Sequence, residues 1–167
     1  MNILKLELTH FGKFHLKTIT FTSGLNIVYG KNEAGKSTIH AFVRSMLFGI
    51  QDTEEGNERY SHYLPWETPH DFCGKMWIKK DDKVYRIERN FLRPQPTVRV
   101  FDDETGESLQ PAKQHLRQIL SGLTETSYLN TICIEQLKSA TDPQLAKELE
   151  DMAVNASQSK NLNIDVK

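Results

Sequence analysis

Hydrophobic and polar residues alternate along the start of the chain, and this pattern predicts a β-hairpin. Residues 3–9 read ILKLELT and residues 14–21 read FHLKTITF, and both runs have the period of two that is typical of a half-buried strand. The sequence HFGKF supplies a turn between them. Residues 25–29, LNIVY, are nearly all apolar, so they predict a short central strand that is buried on both faces.

The pattern then changes from helix to sheet and back to helix. Residues 36–49, KSTIHAFVRSMLFG, carry apolar side chains at helical spacing and end in glycine. Residues 51–70 are polar and rich in turn formers, so they predict a loop. Three strand-like runs between residues 74 and 103 predict a small antiparallel sheet. Residues 111–122 begin with proline and end with glycine, as a helix does, and residues 124–130 predict one more helical turn.

Composition adds limits but no specific function. The 167 residues are 38% hydrophobic and 26% charged with a net charge of -1, which is ordinary for a soluble globular protein. The chain as a whole therefore has no strong field that would attract nucleic acid or membrane. Two cysteines fit a reducing compartment, and neither a signal peptide nor a membrane span is evident. We expect a cytoplasmic protein with no membrane partner.

The segment GKNEAGKS, from Gly30 to Ser37, fits the phosphate-loop pattern G-x-x-x-x-G-K-[ST]. A triphosphate is best held by inward-pointing backbone N–H groups and by the positive end of a helix, and only glycines allow so tight a turn. The pattern places Lys36 between the β- and γ-phosphates and the Ser37 hydroxyl on Mg²⁺. It thus predicts ATP and Mg²⁺ as cofactors. The predicted nucleotide-binding residues are Gly30, Lys31, Asn32, Glu33, Ala34, Gly35, Lys36, Ser37 and Thr38.

Other classes of phosphate-loop protein are weighed by their additional motifs. A GTPase needs D-x-x-G and N-K-x-D elements, and DETG, from Asp103 to Gly106, matches the first. A hairpin turn explains DETG better, because it follows a strand-like run, and N-K-x-D does not occur. A kinase-like arginine-rich lid is not evident. Residues 131–136, TICIEQ, give only a short and imperfect acidic strand of the Walker B type, ending in Glu135.

Five segments follow one another in an order that carries a resemblance: LELTHFGKF, GLNIVYGKNEAGKSTIHAFVRSMLFG, RYSHYLPW, YRIERNF and NTICIEQL. Over residues 1–150 the chain resembles the SMC/SbcC-type ATPases, a branch of the ABC ATPases that includes RecF, and most of all the bacterial YhaN-type proteins within it. The resemblance implies an α/β P-loop NTPase fold with an antiparallel β subdomain and flanking helices. It implies the N-terminal lobe of an ABC-type head over residues 1–157 and a tail, 158–167, that leads toward a coiled coil.

The resemblance also implies roles for two residues outside the phosphate loop. The Q-loop of the family falls on Gln136, which would coordinate Mg²⁺ and place the attacking water. Many family members carry Arg or Lys directly after the phenylalanine of the first turn, where it contacts the nucleotide. Here the order is Phe11, Gly12, Lys13. Lys13 either makes that contact from one position further along or is a solvated turn lysine.

The sequence contains neither the LSGGQ-like signature, nor a strong Walker B strand after Gln136, nor sustained heptads. We therefore expect an N-terminal lobe that binds ATP but hydrolyses almost none alone. The resemblance implies a C-terminal lobe and a second head as partners, with ATP-driven dimerisation in DNA repair or chromosome maintenance. DNA and an SbcD-type nuclease are further expected partners. Two alternatives remain open: a self-contained P-loop kinase or GTPase, and a non-catalytic nucleotide-gated interaction module.

Basic residues accumulate on the predicted antiparallel strands and the turn between them. A DNA backbone asks only for positive charge and reach, so they could contact DNA or simply form a solvated sheet face. Alternation along one strand places Arg86 and Glu88 on one side and Arg89 on the other. The basic residues are Lys75, Lys79, Lys80, Lys83, Arg86, Arg89, Arg93 and Arg99. The segment HYLPW, residues 62–66, could cover the nucleotide, dock another lobe or form a packed loop.

Overall fold

The computed structural model describes residues 1–133, which divide into one unit from Met1 to Gly122 and a second that starts at Leu123. A single five-stranded antiparallel sheet organises the first unit, in the order β2-β1-β3-β4-β5. Its strands are β1 (Asn2–Phe11), β2 (Phe14–Thr20), β3 (Cys73–Lys80), β4 (Lys83–Asn90) and β5 (Thr97–Asp102). Its helices are α1 (Lys36–Phe48), α2 (Glu54–Tyr63) and α3 (Ala112–Ile119). The expected α/β class with an antiparallel sheet is confirmed.

The first hairpin and the later strands form one sheet because β1 pairs on both of its edges. Leu6 lies opposite Ile19 of β2 on one side and opposite Met76 of β3 on the other. A shift in register between Glu7 and His10 marks a bulge in the β1–β3 pair. The sheet is therefore continuous and antiparallel. The separate sheet predicted over residues 74–103 supplies three of its five strands, β3, β4 and β5.

Helix α1 and the aromatic residues around Phe11 fill the core on one face of the sheet. The Phe11 ring lies 5.1 Å from Phe42 of α1, 5.2 Å from Phe72 and 5.6 Å from Phe91, measured between ring centroids. Edge-to-face and tilted rings at such distances contribute beyond the area that they bury. The fully buried aliphatic residues of this core are Leu6, Leu8, Met46, Leu47, Met76, Ile78, Ile87 and Val100. The amphipathic spacing of 36–49 thus predicted both the helix and its inward face.

The expected buried strand at residues 25–29 is not present. Among residues 1–133 this segment pairs with no strand, and Leu25 and Tyr29 are 87% and 91% exposed. Its conformation is held locally by the Asn26 side chain, whose Nδ2 donates to the Thr22 carbonyl at 2.8 Å. The prediction of a buried strand was wrong because an apolar run becomes a central strand only where neighbouring strands complete its ladder. The described strands pair among themselves instead.

The prediction of a loop over residues 51–70 was also wrong, because α2 lies within it. Thr53 caps this helix, since its hydroxyl accepts a hydrogen bond from the Gly56 N–H at 3.1 Å. Glu54 and Glu55 then occupy the first turn, where negative charge favours a helix. The Tyr60 ring packs 5.3 Å from Phe72. A cap and tertiary contacts therefore outweigh the weak helix propensity of this segment.

The two remaining helical predictions are confirmed. Pro111 precedes α3, and Leu116 and Ile119 form its buried face. In the second unit, α4 (Glu125–Ser127) continues as a π-helical turn, Tyr128–Ile132. The DETG segment lies in the turn after β5, where Asp102 Oδ1 accepts the N–H groups of Glu104 and Thr105 at 3.1 and 3.3 Å. This confirms that DETG forms a turn after a strand.

Candidate nucleotide-binding site

The segment Gly30–Gly35 forms a tight loop that leads directly into α1. The Ala34 N–H donates to the Lys31 carbonyl at 3.2 Å, and Glu33 has a φ of 64°. Gly35 occupies the N-cap position with a φ of 100°, which strongly favours glycine. A Cβ at Gly35 would lie only 2.4 Å from the Phe14 ring. Both the backbone conformation and the neighbouring ring therefore require glycine here.

The N-terminus of α1 is open toward an anion. Its first N–H groups have no intrahelical acceptor, no side chain caps them, and the first turn contains no acidic residue. The partial positive charge at such a helix end attracts phosphate. Lys36, Ser37 and Thr38 make up this first turn, and the Lys36 and Ser37 side chains are exposed.

The Lys36 side chain folds back over the loop that precedes it. Its Nζ donates to the Gly30 carbonyl at 2.7 Å and to the Lys31 carbonyl at 2.9 Å. An ammonium group has three donors, so one remains to meet a phosphate oxygen. The loop thus holds the positive charge in place before any ligand binds, which lowers the ordering cost of binding.

Lys13, in the turn of the first hairpin, contacts the same loop. Lys13 Nζ donates to the Glu33 carbonyl. Lys13 therefore lies at the phosphate loop, and its contact with a nucleotide remains a prediction. Gly12 makes the approach possible, because a Cβ there would lie 3.0 Å from the Thr38 methyl group and 3.3 Å from the Tyr63 ring.

Two aromatic residues near the loop were not predicted individually from the sequence. The Tyr63 carbonyl accepts the Gly12 N–H at 2.7 Å, and its ring stacks on Phe11 at 5.3 Å. The exposed His62 ring meets Tyr63 edge-on at 4.7 Å. The signal for both was the HYLPW segment, which was open to several interpretations. Trp66 of that segment is 92% exposed, whereas Pro65 is buried.

The remaining predicted site residues have different outcomes. Asn32, Glu33 and Ala34 are exposed along the outside of the loop. Gln136 lies outside the described residues, as does Glu135. The phosphate loop, Lys13 and the first turn of α1 are therefore brought together, and their assignment to nucleotide remains a prediction.

A second charged surface lies on the face of the sheet that α1 does not cover, and we call it the open face. Side chains on the open face form rows across the strands. Trp77 lies between Lys5 and Arg86, and Lys75 lies between Glu7 and Glu88. Arg99 pairs with Glu88 at 3.0 Å, yet its side chain is 64% exposed against 17% for Glu88. The cationic groups thus project beyond the carboxylates that orient them.

Only part of the predicted basic set lies on the open face. Lys75, Lys79, Arg86 and Arg99 share it, as strand alternation predicts. Lys80 and Lys83 point to the other side of the sheet. Arg89 contacts α1, and Arg93 reaches Asn57 of α2 at 2.7 Å.

The chain matches known proteins over most of its length. An AAA domain family model matches residues 1–153. The "Uncharacterized protein YhaN" of Bacillus subtilis (strain 168) is 41% identical over 56 residues, which cover 33% of this chain and 6% of that protein. The "DNA double-strand break repair Rad50 ATPase" of Thermococcus kodakarensis is 25% identical over 137 residues, which cover 81% of this chain and 15% of that protein. The match therefore spans less than a sixth of either relative.

Within residues 1–133, no helix combines the length and the apolar composition that a bilayer crossing demands.

Proposed function

The chain belongs to the AAA domain family and is related to the SMC/SbcC-type ATPases, and on this premise we propose that it is the ATP-binding part of such an ATPase head. The observation that carries the proposal is the phosphate loop itself. An uncapped helix N-terminus, a glycine at positive φ and a lysine held over the loop occur together at residues 30–38. This combination suits a polyphosphate with its reacting end at Lys36.

The residues present fit a magnesium nucleotide. Lys36 and Lys13 offer positive charge to the phosphates, and the Ser37 hydroxyl is a hard oxygen ligand of the kind that Mg²⁺ prefers. By the family pattern Gln136 would supply a second ligand. Mg²⁺ would neutralise charge that develops on the phosphoryl oxygens. The His62 and Tyr63 rings lie near the Gly12 turn and are candidates to contact the base.

Hydrolysis requires more than this loop supplies. Phosphoryl transfer needs a positioned water and additional charge around the transferring group. The sequence lacks a signature motif, and we propose that another lobe contributes it. The exposed apolar run at 25–29 supports this proposal, since such a run is stable as a strand only when its ladder and both faces are covered. Head dimerisation on ATP, and an SbcD-type nuclease partner, follow by the same family pattern.

The open face supports a second candidate function, binding of a DNA backbone. Its exposed cations need only charge and reach to meet phosphates, and salt then weakens binding in proportion to the phosphates neutralised. We expect the double variant Lys79→Ala with Arg99→Ala to reduce the slope of log affinity against log salt by roughly one or two for duplex DNA. Lys113→Ala on α3 is the control. Equal slopes for the double variant and the wild type would contradict this role.

The ATP proposal is tested by calorimetric titration of Mg-ATP into the chain, with phosphate release measured in parallel. We expect binding without appreciable turnover, and a loss of roughly ten- to hundredfold in affinity for Lys36→Ala, because charge-assisted hydrogen bonds are lost. Lys17→Ala on the exposed strand β2 is a charge-matched control and should bind like the wild type.

Other outcomes would select the rival functions. Brisk turnover by the chain alone would favour a self-contained kinase or GTPase. Binding without turnover that persists after a C-terminal lobe is supplied would favour a nucleotide-gated interaction module. Binding that Lys36→Ala leaves unchanged would refute the assignment of the loop.

A further inference from the structure

Two arginines from different elements meet at the C-terminal end of α1. Arg89 of β4 donates from Nε to the Met46 carbonyl at 2.8 Å and from Nη2 to the Leu47 carbonyl at 3.2 Å. Arg59 of α2 donates to the Gly49 carbonyl at 3.3 Å. The last carbonyls of a helix have no partner within it, and α1 has no basic residue in its own last turn. Tertiary structure therefore supplies the cap that the helix sequence lacks.

The charge of Arg89 is directed at the helix end. Burial lowers the pKa of its guanidinium to about 10, so the group stays charged at neutral pH. Over the described range 1–133, no carboxylate lies within ion-pair distance of Arg89, and its hydrogen bonds go to α1 carbonyls. The partial negative charge at the end of α1 is therefore its counter-charge.

The opposite end of the same helix carries the phosphate loop. A helix of 13 residues is a stiff rod of about 20 Å, so a shift at one end moves the other. The Phe14 ring packs against Gly35 at the start of this helix. The arginines hold the carbonyls that point along the helix axis.

We propose that Arg89, together with Arg59, positions the phosphate loop by fixing α1 along its axis. The two side chains, which we call the arginine clasp, would set the location of the N–H groups at Lys36–Thr38. Binding groups must be held to within about half an ångström to be effective, so a loosened clasp lowers nucleotide affinity. This inference rests on the proposed nucleotide site.

The test must separate positioning from a general contribution to stability. Arg89→Met removes the charge and both donors while keeping an apolar stem. Arg89→Lys keeps the charge but lacks the planar fork that reaches two carbonyls at once. Val100→Ala, on β5, removes buried apolar volume from the same core, leaves both arginines in place and serves as a control that only destabilises.

Mg-ATP affinity and urea unfolding are measured on the full chain for all four proteins. We expect Arg89→Met to weaken binding by roughly ten- to hundredfold, Arg89→Lys to recover part of that loss, and Val100→Ala to bind like the wild type. Equal affinity in the wild type and Arg89→Met would overturn the proposal. If Arg89→Met does not fold, wild-type affinity in Arg89→Lys would overturn it in the same way.

Amide hydrogen exchange gives a readout that does not depend on nucleotide. Arg89→Met should accelerate exchange in the first turns of α1, residues 36–42, more than Val100→Ala does at matched stability. If the wild type does not bind Mg-ATP, the proposed nucleotide function has failed, and exchange still judges the clasp. Equal exchange in the two variants would show that Arg89 only adds stability.

Discussion

Replacing Gly35 by alanine tests the geometry of the phosphate loop directly. The added methyl group meets two obstacles at once. The backbone φ of 100° is a conformation that residues with a Cβ rarely adopt. The new Cβ would also lie 2.4 Å from Cζ and 2.9 Å from Cε2 of Phe14, closer than carbon atoms approach in folded proteins.

The magnitude follows from these two obstacles. A non-glycine residue held at such a φ costs about 1–3 kcal/mol. Moving the Phe14 ring away costs a similar amount as an overpacking penalty, about 1–3 kcal/mol. If the loop keeps its shape, the cost appears as lost stability. If the loop relaxes, it appears as lost affinity, where each 1.4 kcal/mol is about tenfold. We therefore expect the two losses together to amount to about 2–6 kcal/mol.

The assay combines urea unfolding with calorimetric titration of Mg-ATP. Gly106→Ala is the matched control, because Gly106 has a φ of 73° and a Cβ added there would meet no atom within 4 Å. The control should lose about 1–3 kcal/mol of stability and no affinity, since it shares the backbone cost but lies in the turn after β5. The difference between the two variants isolates the effect of the loop and the ring.

A double variant separates the ring from the backbone. Phe14→Ala should recover part of the loss in the Gly35→Ala background, and the interaction energy of the cycle measures the clash. A summed loss below about 1 kcal/mol for Gly35→Ala would refute this reasoning. So would a cycle in which the two substitutions are additive, because the ring would then not be the obstacle.

Two further predictions concern α2 and the thiol of β3. Thr53→Ala should lower the free energy of unfolding by about 1 kcal/mol in urea, while Thr53→Ser retains the cap; equal losses would contradict the capping role. Burial, reinforced by Asp71, raises the pKa of the Cys73 thiol above its ordinary value of 9.0. Its alkylation by iodoacetamide should therefore be slow at neutral pH and still increase above about pH 9, measured by mass spectrometry. The unfolded thiol ionises first, so this contribution to stability is present below about pH 9 and is lost as the pH rises through the raised pKa.

The sequence predicted those elements whose cause is local. The alternation of residues 3–9 and the helical spacing of 36–49 correspond to the buried faces of β1 and α1. The alternation of residues 14–21 correctly predicted strand β2, but that strand is largely exposed. The phosphate-loop pattern likewise located Gly35 and Lys36 where the structure has a tight turn and a helix start. Local pattern was enough because glycine and lysine are required there by backbone geometry and charge.

The predictions that failed concern features that depend on tertiary contacts. The run at 25–29 has the composition of a central strand, but composition does not say whether a neighbouring strand is available. Helix α2 has a polar sequence and depends on a cap at Thr53 and on the contact of Tyr60 with Phe72. Strand alternation correctly placed Arg89 and Arg86 on different faces of the sheet. The contact of Arg89 with α1 could not be predicted in this way, because its partner lies more than forty residues away in the sequence.

The pairing of β1 on both edges has a consequence for the order of folding. Strands β2 and β3 both run antiparallel to β1, so they run parallel to each other on either side of it. Parallel strands need a crossover connection, and here residues 21–72, which contain the phosphate loop, form it. Strands β3, β4 and β5 are joined by short turns and can pair early. We expect the phosphate loop, in contrast, to acquire its geometry in the slower non-local step that joins the first hairpin to the rest of the sheet.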